Sequence, residues 1–120
     1  MVQSSSEKII KQNLDLLVLS MLDKKATHGY DLISEFHNVF NILLSPGTLY
    51  PVLYNMESMK FLKAENLGKA RKYSVTELGK RELDNESMVF KKTSVKIEQY
   101  LNRNGSVSSD SAPYEVITDN

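Results

Sequence analysis

The chain has 120 residues, a formal net charge of zero and no cysteine. This length provides for one compact domain with one core, and the lack of cysteine excludes disulfides, thiolate metal sites and cysteine nucleophiles. No apolar run approaches the roughly 20 residues that a membrane-spanning helix needs, and residues 1–6 lack the apolar centre of a signal peptide, so we expect a cytoplasmic protein.

The charge is distributed unevenly along the chain. Residues 1–59 carry 4 basic and 6 acidic side chains, whereas residues 60–81 carry 7 basic and 2 acidic ones. Residues 82–103 carry 4 of each, and residues 104–120 carry 3 acidic side chains and no basic one. Because a local basic segment can attract a polyanion even when the net charge is zero, residues 60–81 are a candidate for nucleic-acid contact.

Two helices are predicted in the first third of the chain. In residues 7–22 the apolar positions follow the helical period, with Ser6 available as the N-cap: Ile10, Leu14, Leu17, Val18, Met21 and Leu22. Leu16 and Leu19 lie on the other side of this helix, which predicts a second apolar contact, such as another subunit. After a short polar connection over residues 23–27, a second helix follows His28-Gly29 and ends near residues 38–41.

The stretch Ser45–Glu57 predicts a third helix with an unusual outer face. It begins either with Ser45 as the cap and Pro46 at the first helical position, or with Thr48 as the cap, which places Pro51 in the first turn. One arc is apolar: Leu49, Val52, Leu53, Met56 and Met59. The opposite arc and its flank carry few of the long charged side chains that are typical of solvated helices, which predicts contacts with a partner: Gly47, Thr48, Tyr50, Pro51, Tyr54, Asn55 and Ser58.

A hairpin and a long helix complete the predicted elements. Residues 61–66 and 71–75 flank the basic turn 67–70 and predict two paired strands. Thr76 then caps a helix over residues 77–102, in which the spacing of Leu83, Ser87, Phe90, Ser94, Ile97 and Leu101 alternates between four and three as in a coiled-coil seam. From residue 104 onward the composition predicts a disordered acidic tail.

Three helices followed by a basic hairpin are the order of a winged helix-turn-helix, in which the third helix enters the major groove and the hairpin contacts the backbone or minor groove. The sequence also resembles the PadR family of transcriptional regulators. The resemblance rests on four segments in the same order, which are Leu14–Leu19 with Met21-Leu22, then His28–Leu32, Ser45–Leu53 and Gly68–Gly79. The short C-terminal part is similar to the small subclass of the family that has a single long helix.

The resemblance implies a mainly helical fold with a small β-hairpin. It divides the chain into a winged helix-turn-helix DNA-binding domain over residues 1–76, a dimerisation helix over 77–103 and a disordered acidic tail over 104–120. It further implies a cytoplasmic homodimer, usually a repressor, that binds an inverted-repeat operator in double-stranded DNA. Many family members release DNA when a small aromatic effector binds, and here we expect such an effector near Phe90 and Tyr100.

The candidate site residues fall into three groups. The recognition helix contributes Ser45, Thr48, Tyr50, Pro51, Tyr54 and Asn55. The wing and its flank contribute Lys63, Lys69, Arg71, Lys72 and Tyr73. Contacts between subunits are expected from Leu16, Leu19, Phe90, Ile97 and Leu101. Family members often carry basic residues at the positions of Tyr54 and Asn55, so here more of the phosphate binding is expected from the wing.

Other functions stay open at this point. One alternative is a winged helix that serves as a protein–protein interaction module without specific DNA binding, which the neutral charge and acidic tail favour. An enzyme is not expected, because the sequence shows no nucleophile with a paired base and no phosphate-binding loop. His28 is interpreted as a structural residue at a helix entry, and no metal and no cofactor are expected.

Overall fold

A computed structural model describes residues 5–102 and 115–118. It is mainly helical, with a β-hairpin and a long C-terminal helix as predicted, and a third short strand extends the hairpin to a three-stranded antiparallel sheet. Contacts divide the chain into two units, Met1–Met88 and Val89–Asn120, which are described separately below. The elements in chain order are α1 (Ser5–Gln12), α2 (Leu14–Lys24), β1 (Thr27–His28), α3 (Gly29–Phe40), α4 (Pro46–Ser58), β2 (Leu62–Leu67), β3 (Ala70–Val75) and α5 (Glu77–Asn102).

The prediction of one helix over residues 7–22 is wrong, because Asn13 separates α1 from α2. The Asn13 side-chain amide donates to the carbonyl of Ile9 at 2.9 Å, and its backbone amide donates to Ile10 at 3.1 Å. Asparagine competes for backbone partners in this way, which interrupts a helix without disturbing the apolar spacing. The start is also shifted, since α1 begins at Ser5 and Ser6 lies inside its first turn rather than at the cap.

The predicted hairpin is confirmed as β2 and β3, joined by a two-residue turn. Gly68 in this turn has φ +64°, a left-handed conformation that glycine adopts without steric cost. A third strand, β1, pairs with the other edge of β3 through Thr27 opposite Tyr73 and His28 opposite Lys72. This strand was not predicted, since Thr27 was expected in a polar connection. The strands lie in the order β1-β3-β2.

The hydrogen bonds at the start of α4 decide between Ser45 and Thr48 as its N-cap. Ser45 is the N-cap of α4, and its hydroxyl accepts from the Thr48 amide at 3.3 Å. Pro46 therefore occupies the first helical position, and Pro51 lies inside the helix, where it lacks the amide that would bond to residue 47. Thr76 caps α5 as predicted, since its hydroxyl accepts from the Gly79 amide at 3.0 Å.

The core of the first unit lies between the helices and one face of the sheet. Its largest fully buried side chains are Tyr73, Phe36, Leu32, Leu49, Leu53, Met56 and Val18. Leu19 is also buried, at 2% exposure, so its predicted availability to another subunit is wrong: the domain's own core covers it. Leu16 is half-buried and packs against the same core.

The second unit contains the C-terminal part of α5, where several apolar side chains stay exposed. Phe90, Ile97 and Leu101 are 42%, 55% and 71% exposed. Residues 115–118 are exposed and form neither helix nor strand, and the rest of the predicted acidic tail lies outside the described residues. Within the described ranges, no helix is long and apolar enough to cross a membrane.

Candidate nucleic-acid interface

The outer face of α4 presents the predicted recognition residues. The inner face buries Leu49, Leu53 and Met56 and so fixes the rotation of the helix. On the other side Ser45, Pro51, Tyr54 and Asn55 are exposed, and Thr48 and Tyr50 are half-buried. Within the part of the chain that the structure describes, the side-chain amide of Asn55 donates only to the Met59 sulfur at 3.6 Å, a weak contact that a stronger acceptor could replace.

Tyr50 is more than a surface residue, because it packs against the start of α3. A β-carbon added at Gly29 would lie 2.5 Å from the Tyr50 hydroxyl oxygen, so only glycine allows this contact. Burial, and to a lesser degree Tyr30 and Tyr54, raise the pKa of Tyr50. Tyr30, which affects the pKa of Tyr50, is 72% exposed and was not among the predicted site residues.

The sheet separates the basic residues of the wing onto different faces. Lys63 is opposite Ser74, and Lys72 is opposite Glu65, so these four side chains share one face. They line a depression of about 460 Å³ on the surface of the sheet, together with residues 26 and 64. Lys69 lies in the hairpin turn and is exposed. Of the four predicted basic residues, Lys63 and Lys69 are therefore exposed, and Lys72 is half-buried on the same face of the sheet as Lys63.

Tyr73 is the predicted wing residue that the structure places elsewhere. Its side chain is fully buried, so the prediction that it contacts DNA is wrong. Strand alternation explains the difference, because Tyr73 shares its face with Val75 and not with Lys72. Burial raises the pKa of its phenol, while the neighbouring Arg71 acts in the opposite direction.

Arg71 also points to the inner side of the hairpin. Its Nη2 atom lies 2.6 Å from Oε2 of Glu57, a residue in the last turn of α4 that sequence analysis did not single out. The hydrogen bond to Glu57 is the main reason why the pKa of Arg71 is raised. No local pattern in the sequence predicts this ion pair, because Glu57 and Arg71 are 14 residues apart and come into contact only when β3 is in register.

The remaining predicted residues belong to other elements of the chain. Phe90, Ile97 and Leu101 are exposed in the second unit, as a contact between subunits would require, whereas Leu19 is buried in the first. His28 stands at the N-cap of α3, and its Nδ1 is buried. Among residues 5–102 and 115–118, no cluster of three or more histidine, aspartate or glutamate side chains is placed to hold a metal ion.

Comparison with known proteins gives consistent matches. The family model described as the transcriptional regulator PadR-like family matches residues 18–85. An uncharacterized protein of Lysinibacillus sphaericus is 30% identical over 79 residues, which cover 60% of this chain and 72% of that protein.

Solved structures agree with the sequence comparisons. A PadR family transcriptional regulator from Eggerthella lenta has a TM-score of 0.73 and 26% identity, over 81% of this chain and 88% of that one. A PadR-like transcriptional regulator from Bacillus cereus has a TM-score of 0.66 and 27% identity, over 82% of this chain and 99% of that one.

Proposed function

Because this chain belongs to the family of PadR-like transcriptional regulators, we propose that it binds a specific sequence in double-stranded DNA and represses transcription as a homodimer. Members of this family are regulators rather than enzymes, as expected for this chain. A regulator of this kind acts in the cytoplasm, on the chromosome.

The observation that carries the proposal is the outer face of α4. One side of this helix is buried in the core, whereas the other side exposes polar and aromatic side chains that the core does not use. The main candidates for base contacts are Tyr54 and Asn55, which are both exposed. An asparagine can bond to N6 and N7 of adenine, and an aromatic ring can pack against a thymine methyl group. A helix of these dimensions fits the major groove of B-DNA.

The hairpin supplies the positive charge that α4 lacks. The helix has no basic residue, whereas Lys63, Lys69 and Lys72 are carried by the strands and the turn that follow it. Lysine binds phosphate as a point charge, and such contacts strengthen binding to every DNA sequence. We therefore assign base reading to α4, chiefly to Tyr54 and Asn55, and backbone binding to the lysines of the wing. Ser45, Thr48, Tyr50 and Pro51 complete the proposed surface on α4.

The division of the chain follows from these assignments. Residues 1–76 form the proposed DNA-binding domain, residues 77–103 the dimerisation helix and residues 104–120 an acidic tail. The exposed apolar residues Phe90, Ile97 and Leu101 of one subunit would cover Leu16 of the other. Twofold symmetry then requires an inverted-repeat operator, with its half-sites about one helical turn of DNA apart.

The test begins with selection of bound fragments from a randomised double-stranded DNA library. We expect an inverted repeat, and inserting about five base pairs between its half-sites should abolish the specific complex, because this rotates the half-sites to opposite sides of the duplex. Failure to enrich any sequence, together with tight capture of a protein partner, would instead favour the protein–protein interaction module.

Two substitutions then separate the proposed roles. Asn55→Ala should cost about 1 to 3 kcal/mol on the selected site and little on random DNA. Lys69→Ala should weaken binding to both DNAs alike and reduce the slope of log affinity against log salt by about one unit. Equal effects of Asn55→Ala on both DNAs would show that α4 does not read bases through this residue.

We also propose that a small aromatic effector controls DNA binding by contacting Phe90 and Tyr100. Such a ligand needs only to favour one arrangement of the dimer by a few kcal/mol in order to release DNA. A screen of flat aromatic compounds should find one that raises the melting temperature and weakens operator binding. If no compound changes either quantity, the regulator acts without such an effector.

A further inference from the structure

Glu57 occupies a place that is unfavourable for an unpaired carboxylate. It lies in the last turn of α4, where the negative end of the helix dipole repels an anion, and this turn contains no basic residue. Under the proposed function the same helix also approaches DNA phosphates, which would repel Glu57 further. A glutamate in this position therefore indicates a specific cation from another element.

Arg71 supplies that cation from β3. Its guanidinium contacts three neighbours, with Nη2 2.6 Å from Glu57, Nη1 3.3 Å from the Asn66 side-chain oxygen and Cζ 5.7 Å from the centre of the Tyr73 ring. The third nitrogen, Nε, is buried without a hydrogen-bond partner among the described residues, although the Arg71 side chain as a whole is 40% exposed. The hydrogen bonds direct the guanidinium towards α4 and its own hairpin, whereas Lys72, the next residue, is on the opposite face of the sheet.

We propose that Arg71 is a positioning residue which, through Glu57, fixes the orientation of the β2–β3 hairpin on the recognition helix and does not bind phosphate. The inference rests on the proposed function, because it concerns how two DNA-contacting elements are held together. It also corrects the expectation that all four basic residues of the wing bind the DNA backbone.

The pair has an electrostatic consequence that distinguishes the two roles. A cation that is already neutralised by a carboxylate 2.6 Å away releases few counterions from DNA, so it contributes little to the salt dependence of binding. A phosphate ligand behaves differently, because each contact adds about 0.9 to the magnitude of the salt slope on duplex DNA. Lys69 lies in the same hairpin, is exposed, and serves as the matched control.

The first experiment tests the link between the two elements without DNA. Unfolding in urea is measured for Glu57→Gln, Arg71→Gln and the double variant, after circular dichroism has shown that all three fold. If Arg71 acts through Glu57, the double variant should unfold at nearly the same urea concentration as either single variant. Fully additive shifts would show that the residues are independent and would overturn the inference.

The second experiment measures affinity and salt dependence on the DNA selected by the wild-type protein and on a shuffled sequence of equal length. Arg71→Gln and Glu57→Gln should each weaken binding to the selected DNA, by about tenfold. For Arg71→Gln the salt slope should stay close to that of the wild type, because the wild-type cation is already paired with Glu57. Lys69→Gln should reduce the slope. Exchanging the charges, with Glu57→Arg and Arg71→Glu together, should restore part of the affinity that either single exchange removes.

The opposite pattern would identify Arg71 as a phosphate ligand. In that case Glu57→Gln would keep or strengthen binding to both DNAs, Arg71→Gln would reduce the slope as much as Lys69→Gln, and the charge exchange would restore nothing. If the wild-type protein shows no preference for any DNA, the proposed function fails, and the unfolding cycle alone decides whether Glu57 and Arg71 couple α4 to the hairpin.

Discussion

The close approach of α5 to the start of β2 predicts that Gly79→Ala will destabilise the first unit. A β-carbon at Gly79 would lie 2.1 Å from the carbonyl oxygen of Phe61 and 2.9 Å from Cγ1 of Val75. Ordinary contact begins at 3.4 Å, so the backbone would need to move by about 1.3 Å. The atom in the way is a backbone oxygen, which cannot rotate aside as the end of a side chain can.

Opposing contributions determine how much Gly79→Ala lowers the unfolding free energy. Overpacking of this kind costs about 1 to 3 kcal/mol. Movement of the Phe61 carbonyl also weakens the hydrogen bond that it accepts from the Thr76 amide at 3.0 Å, which adds about 1 kcal/mol. Alanine recovers about 1 kcal/mol because it favours a helix over glycine. We therefore expect a net loss of about 2 kcal/mol and a melting temperature lower by roughly 8 to 16 °C.

Thermal and urea unfolding at one fixed protein concentration provide the assay, since association of subunits would make the midpoint depend on concentration. Gly47→Ala is the matched control, because a β-carbon there meets its nearest neighbour, the Ser45 hydroxyl oxygen, only at 4.0 Å. The control should be neutral or stabilising by up to about 1 kcal/mol. If Gly79→Ala is as stable as Gly47→Ala, the packing of α5 described here is incorrect.

Further predictions concern a cap, a buried phenol and the exposed seam. Ser45→Ala should lower the unfolding free energy by about 1 kcal/mol because the amide of Thr48 loses its side-chain acceptor and keeps only the Ser45 carbonyl, whereas Ser45→Gly should cost only a few tenths; urea titration measures both. Burial raises the pKa of the Tyr73 phenol above the ordinary 10.0. The contribution of the protonated phenol to the unfolding free energy is therefore complete below about pH 10 and is lost as the pH rises through the pKa of the folded state. Tyr73→Phe should therefore show a smaller loss of unfolding free energy between about pH 9 and 11 in urea titrations, and an equal loss would contradict this. Phe90→Glu should reduce the mass measured by sedimentation to that of a monomer, whereas Thr93→Glu, also exposed, should not.

The parts of the fold with strong local signals could be predicted from the sequence. Ser45-Pro46 and Thr76 begin α4 and α5 because capping chemistry acts within a few residues. The break at Asn13 could not be found from apolar spacing, since this spacing continues across it. The strand β1 has only two residues and forms because β3 offers it an edge, which is a tertiary cause.

The same distinction applies to the candidate site. The exposure of Tyr54 and Asn55 could be predicted, because a helix face without long charged side chains is visible in the sequence, and both residues are exposed. Tyr73 was misassigned because the wing was interpreted as a basic run, although strand alternation with Val75 already indicates a buried position. The contact between Glu57 and Arg71 depends on the placement of β3 beside α4, and no periodicity within either element encodes it.

The distribution of charge in the first unit supports the proposed division of roles between α4 and the hairpin. Glu57 is the one charged residue of α4, and Arg71 forms an ion pair with it. Under the proposed function, the helix would therefore offer dipoles and rings to the major groove, while the lysines of the hairpin would offer positive charge. Hydrogen bonds to base edges depend on sequence, whereas attraction to phosphate does not. If α4 reads bases and the hairpin binds phosphates, as proposed, substitutions in α4 should change sequence preference and substitutions of the hairpin lysines should change overall affinity. The ion pair between Glu57 and Arg71 can hold α4 and the hairpin together without adding net charge to the surface proposed to face DNA.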